Sequence, residues 1–144
     1  MKTILVTGAT GNLGRKIITH LLQAESSQKI LALARDPYRS EHLRGVEVRK
    51  RDYFYPASLT AAMRGVTTLM LVSTVAFSDA VTQHRNVVRA AQTAGVGHVV
   101  YAGIQRPARS TFEMSQVTQR ERDVERTLAK SGIATTILRN TMYF

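Results

Sequence analysis

The amino-acid sequence predicts an α/β domain built on a doubly wound parallel sheet, and three observations carry that expectation. Short apolar runs rich in Val, Ile and Leu alternate with amphipathic stretches along all 144 residues. Such alternation gives parallel strands joined by right-handed crossovers. The first apolar run turns into a helical pattern through three glycines, Gly8, Gly11 and Gly14. No apolar run approaches the roughly 20 residues that span a bilayer. The chain therefore reads as one domain, residues 1–144, with the strand order 3-2-1-4-5-6 expected of such sheets.

The first element is a strand through Ile4, Leu5 and Val6, followed by Thr7-Gly8-Ala9-Thr10-Gly11-Asn12-Leu13-Gly14. From Leu13 the period is helical, with Leu13, Ile17, Ile18, Leu21 and Leu22 on one side. A strand that passes sharply into a helix through glycines is a dinucleotide-binding device. Gly8 permits the tight turn, Gly11 lets a pyrophosphate approach the backbone, and Gly14 lets the helix lie close on the strand. The helix start offers unpaired N–H groups and the positive end of its dipole to phosphate. The loop candidates for cofactor binding are Gly8, Thr10, Gly11, Asn12, Leu13 and Gly14. Their spacing is G-x-x-G-x-x-G, not the commoner G-x-G-x-x-G.

Composition agrees with a nucleotide ligand. The formal net charge is +10, from 20 Lys and Arg against 10 Asp and Glu, which favours anionic partners. Nucleic acid is not expected, because the basic residues are scattered and no aromatic side chains interleave with them. The chain has no cysteine, which excludes disulfides, thiolate metal sites and cysteine nucleophiles. No metal site is expected. An amino terminus that reads as a strand, not a signal peptide, gives a cytoplasmic expectation with no membrane association.

The second strand is Ile30 to Ala34, ended by Arg35-Asp36-Pro37. In a dinucleotide fold this tip meets the adenosine ribose, where an acid suits the 2′-hydroxyl of NAD and a base the 2′-phosphate of NADP. Arg35 follows the strand directly, so NADP(H) is preferred, while Asp36 keeps NAD(H) open. A surface cation and a helix N-cap are the structural alternatives for this pair. Val46 to Val48 alternates as a third strand, and Pro56 opens a helix through Met63. Asp52, at the end of that strand, is placed to meet adenine, or else pairs with Lys50 or Arg51.

The fourth strand is Thr67 to Val72, and Ser73 and Thr74 after it lie at the switch point of the sheet, as cofactor contacts. A helix from Asp79 to Ala94 buries Val81, Val87, Val88 and Ala91 and ends at Gly95. His84 on this helix is expected to be a surface or packing histidine and is given no chemistry. His98 to Ala102 is the fifth strand, Thr111 to Ser131 a helix, and Ile133 to Leu138 the sixth strand. Apolar Ile137, Leu138, Met142, Tyr143 and Phe144 near the end leave surface that invites homo-oligomerisation.

Nearly the whole length resembles the amino-terminal half of an NmrA-like atypical short-chain dehydrogenase/reductase. Within that group it resembles the NAD(P)H:quinone oxidoreductase and triphenylmethane reductase branch. The residues that carry the resemblance are Thr7 to Gly14, Ala34-Arg35-Asp36-Pro37, Arg51-Asp52-Tyr53 with Pro56-Ala57-Ser58-Leu59, Gln83 to Val88, Ala94-Gly95-Val96 and Leu138-Arg139-Asn140. The resemblance implies an NADP(H)-binding Rossmann domain followed by a smaller substrate lobe that a chain ending at Phe144 lacks. It implies hydride transfer from NADPH to a small-molecule acceptor such as a quinone, or, as an alternative, a regulator that senses NADP(H) without turnover.

Two departures from the family pattern follow. Many members of the wider superfamily place a serine after the fifth strand and a Tyr-x-x-x-Lys pair on the next helix. Here Gly103 holds the serine position, and no Tyr-x-x-x-Lys occurs. Aligning Glu125 with the family glutamate puts Glu121 where a lysine or histidine base stands in related enzymes. An anion there contacts a cofactor poorly, since it donates nothing to ribose hydroxyls. No catalytic residue is assigned.

Overall fold

The computed structural model describes residues 1–24, 27–36, 38, 43–72, 79–104 and 115–140. Six parallel strands form one sheet in the order β3-β2-β1-β4-β5-β6. They are β1 (Thr3–Val6), β2 (Lys29–Ala34), β3 (Glu47–Lys50), β4 (Thr68–Val72), β5 (His98–Ile104) and β6 (Ala134–Asn140). The helices are α1 (Asn12–Gln23), α2 (Pro56–Ala62), α3 (Ala80–Ala94) and α4 (Ser115–Lys130). The order reverses between β1 and β4, and this is where the predicted switch point falls.

Alternating side chains of the strands feed two cores. Leu5, Leu31, Leu33, Leu69, Leu71, Val99 and Tyr101 point to one face, where α2, α3 and α4 cover them with Leu59, Val87, Val88, Val124 and Leu128. Ile4, Val6, Ile30, Ala32 and Met70 point to the other face, against Ile18 with Leu13, Ile17 and Leu21 of α1. Burial on both faces explains why the central strands read as continuous apolar runs. Leu22, expected on the buried side of α1, is instead 45% exposed, because a helix stripe that includes positions 17, 18 and 21 turns residue 22 past its edge.

Several boundaries differ from the sequence expectation. The third strand is Glu47–Lys50 in place of Val46 to Val48. It lies at the sheet edge, where charged side chains are tolerated and discourage further pairing. Lys29 and then Arg49 hold the Glu47 carboxyl below its ordinary range, through contacts of 2.8 and 2.9 Å. The fifth and sixth strands run on to Ile104 and Asn140, paired throughout. Val81 of α3 is only half-buried. Asp79 caps α3 by accepting from Thr82 N–H at 3.1 Å, and Gly95 closes it in the left-handed region at φ 77°. Of the predicted fourth helix, Thr111 to Met114 fall outside the described residues.

Candidate functional site

At the carboxyl ends of β1 and β4, Thr7 joins the two strands that flank the switch point. Its N–H donates to Met70 O at 3.0 Å, and its hydroxyl accepts from Val72 N–H at 2.9 Å and donates to Val72 O at 3.2 Å. The chain then turns at Gly8, whose φ of 61° lies in the left-handed region. Gly11 N–H donates back to Gly8 O at 3.0 Å and closes the turn. A Cβ on Gly14 would stand 2.1 Å from Gly8 O, so no side chain fits where α1 crosses the turn.

Gly11 is different. Its backbone is extended, φ −80° and ψ 169°, and a Cβ would come only to 3.3 Å from Gly8 O. The protein's own packing makes a mild demand for glycine there, and the missing side chain leaves the helix start open. The first helical bond of α1 is Arg15 N–H to Gly11 O at 3.0 Å. The N–H groups of Asn12, Leu13 and Gly14 precede it and have no acceptor among the described residues. No side chain caps them, and no acid lies in the first turn. Arg15 also reaches Thr10 O through Nε at 3.0 Å, which holds a guanidinium beside the positive end of the helix. These groups fit an anionic phosphate.

The second part of the site lies at the ends of β2 and β3, whose residues Ala34 and Lys50 are in register. An open cavity of about 520 Å³ is lined by Arg35, Lys50, Arg51, Asp52, Tyr55, Ala57 and Ser58. Arg51 is held in place: Nε donates to Ser58 O at 2.9 Å, Nη1 bonds Lys50 O, and its N–H donates to Ala34 O at 3.1 Å. Arg35 and Lys50 are exposed and form no ion pair among the described residues. Asp36 forms a local turn, accepting from Tyr38 N–H at 3.0 Å.

Asp52 makes neither of the ion pairs that were its alternative role. Its Oδ1 accepts from Phe54 N–H at 2.9 Å, and its carbonyl accepts from Tyr55 N–H at 3.2 Å. The short carboxylate satisfies its own turn before it can reach a neighbouring cation. Three cations and one engaged carboxylate leave the cavity positive. Ser73 and Thr74 lie outside the described residues.

One residue that contacts the turn was not singled out in the sequence. Tyr53 is buried beneath the glycine turn, and Gly8 N–H points at its hydroxyl at 3.4 Å. Burial pushes the phenol above its ordinary range, against the Gly8 N–H, the Arg35 charge and the Thr7 hydroxyl. Asn86 of α3 donates through Nδ2 to the Tyr53 carbonyl at 2.9 Å. Tyr53 and Asn86 stand in two of the segments that carry the family resemblance, which is the only signal the sequence offers.

The residue in the position of the family base is not at a ligand-facing surface. Glu121 is 1% exposed, and its Oε1 accepts from the Tyr101 hydroxyl at 2.8 Å. A Cβ on Gly103 would stand 2.9 Å from Glu121 Oε2, so the carboxylate takes the space beside β5 that a serine would need. Among the described residues no cluster of three or more His, Asp or Glu side chains is arranged to hold a metal ion. No described helix is long and apolar enough to cross a membrane.

The model of the NmrA-like family matches residues 1–144, the full chain. The chain belongs to the NmrA-like family. Quinone oxidoreductase 2 of Escherichia coli is 37% identical over 142 residues, which cover 97% of this chain and 49% of that protein. The crystal structure of an NADPH-dependent quinone oxidoreductase from Escherichia coli with NADPH superposes with a TM-score of 0.87 at 37% identity, covering 95% of this chain and 48% of that one. The triphenylmethane reductase of Citrobacter sp. complexed with NADP(H) superposes with a TM-score of 0.87 at 37% identity, covering 98% and 50%. This NmrA-like chain thus spans about half the length of the relatives it matches.

Proposed function

We propose that residues 1–144 form the NADP(H)-binding Rossmann domain of an oxidoreductase that passes hydride from NADPH to a quinone or a similar acceptor. The observation that carries this reading is a pair of anion-binding features at the carboxyl ends of the neighbouring strands β1 and β2. The unpartnered N–H groups of Asn12, Leu13 and Gly14 present themselves to a pyrophosphate, while Arg35 and Lys50 in the cavity at the ends of β2 and β3 suit a 2′-phosphate. Asp52 keeps one carboxylate oxygen engaged with Phe54 N–H, and Tyr55, 65% exposed at the cavity, offers an aromatic face to adenine. The bound cofactor supplies the hydride, and the protein supplies placement and electrostatics.

The relatives carry about as much chain again outside the matched region, and we assign the acceptor-holding surface to a lobe of that kind. A second reading, an NADP(H) sensor without turnover, is favoured by one observation: Glu121 is turned into the core against Tyr101 and Gly103 carries no side chain. Calorimetry with NADPH and NADH on the wild type and Arg35→Ala tests the cofactor. NADPH should bind more tightly, and the variant should lose about tenfold for NADPH, the value of roughly one charge-assisted hydrogen bond. Equal affinities in the wild type would return the ribose to Asp36. NADPH oxidation with a small quinone, measured on a chain extended through such a lobe, then separates enzyme from sensor.

A further inference from the structure

The Gly8 peptide is the joint on which the phosphate-facing groups rest. Gly8 O accepts from Gly11 N–H at 3.0 Å and also lies where a Gly14 Cβ would be, 2.1 Å away. A shift of Gly8 therefore moves both the turn and the start of α1. Successive N–H groups along an extended chain point to opposite sides, so with Thr7 N–H on Met70 O of β4 the Gly8 N–H points away from β4. Its acceptor is the Tyr53 hydroxyl at 3.4 Å, at the long end of the N–H···O range. Tyr53 in turn is held from behind, since Asn86 on α3 donates to its carbonyl at 2.9 Å.

We propose that Tyr53, braced by Asn86, is a positioning residue that sets the glycine turn, so that dinucleotide binding depends on a phenol acting on the loop and not on the ligand. This rests on the assignment of the turn as a pyrophosphate site. Phenylalanine at position 53 would keep the buried ring but leave Gly8 N–H without its acceptor. The turn would then drift, and the N–H groups of Asn12, Leu13 and Gly14 would lose their alignment. The cavity at Arg35 and Lys50 belongs to β2 and β3, so a 2′-phosphate alone would not sense the change.

The test compares NADPH, NADH and adenosine 2′-monophosphate, which has the 2′-phosphate but no pyrophosphate, by calorimetry on wild type, Tyr53→Phe and Asn86→Ala, with melting curves for each. Tyr53→Phe should weaken both dinucleotides about fivefold, the loss expected of one hydrogen bond, and leave adenosine 2′-monophosphate unchanged. Asn86→Ala should act in the same sense, and the double variant should lose less than the product of the two. If Tyr53→Phe binds the dinucleotides as the wild type does, or weakens all three ligands equally, the positioning role is overturned while the cofactor assignment stands. If the wild type binds no NADPH, the cofactor assignment falls first and this inference with it.

Discussion

His84 lies on the first turns of α3 with 1% of its surface exposed, and neither ring nitrogen has a hydrogen-bond partner among the described residues. Its ring meets Tyr101 edge-on, with centroids 6.1 Å apart and planes at 77°. Burial, and then the charge of Arg120, lower its pKa to about 4; the Ala80 backbone and Asp123 oppose this and do not prevail. The unfolded chain takes up a proton near the ordinary value of 6.5 while the folded one refuses it until about 4. Stability is therefore fully present above the upper value and is lost as pH falls through this window. The contribution lost is about 3 kcal/mol by the lower end. His84→Phe should flatten that acid limb in urea unfolding at neutral and acid pH; an unchanged limb would assign the acid sensitivity elsewhere. The sequence left His84 either at the surface or packed; the structure packs it, on the side that also buries Gln83, Val87, Val88 and Ala91. The role of Asp52 was not legible, because which N–H a short carboxylate reaches depends on the turn that forms around it. Tyr53 was hidden for a related reason: its partners, the Asn86 side-chain amide and the Gly8 backbone N–H, lie 33 and 45 positions away.

Between elements, the contact of β5 with α4 shows how one glycine and one acid depend on each other. A serine at Gly103 would bring its Cβ to 2.9 Å from Glu121 Oε2 and 3.1 Å from Tyr101 Cε1. Gly103→Ser should therefore destabilise the protein by about 1–3 kcal/mol, the usual range for overpacking. Glu121→Ala opens that space, and the new hydroxyl can take the place of the carboxylate beside the Tyr101 hydroxyl. The double variant should cost less than the sum of the two singles, measured by urea unfolding. Strict additivity would show that the two positions do not share this volume. The sequence placed Glu121 on the right helix but put Gly103 just after the fifth strand instead of within it, and gave no sign that the Glu121 side chain points inward. An acid amid Arg120, Arg122 and Asp123 reads as a solvated face. The edge strand β3 begins one residue and ends two residues later than expected for the opposite reason, since Arg49 and Lys50 carry strand geometry without apolar side chains.

At the scale of the whole molecule, the sheet order was legible because alternating apolar strands and helices admit few right-handed arrangements. The glycine turn fixed where the reversal falls. The charge distribution adds a further expectation. With a formal net charge of +10 and Arg35, Lys50 and Arg51 around one cavity, raising the salt concentration about tenfold should weaken NADPH more than NADH, because the additional phosphate charge is the part that is screened. Equal salt slopes for the two cofactors would place the 2′-position away from these cations.

The central claim is that the turn from Gly8 to Gly14 receives a dinucleotide phosphate. Calorimetric titration of NADPH into wild type and Gly11→Val, with circular dichroism on both, tests it most directly. The extended backbone of Gly11 accepts a side chain, and its Cβ meets only Gly8 O at 3.3 Å, so the variant should stay folded. It should lose NADPH binding altogether, because the valine would occupy the phosphate's place. A folded Gly11→Val variant that binds NADPH with wild-type affinity would contradict the account.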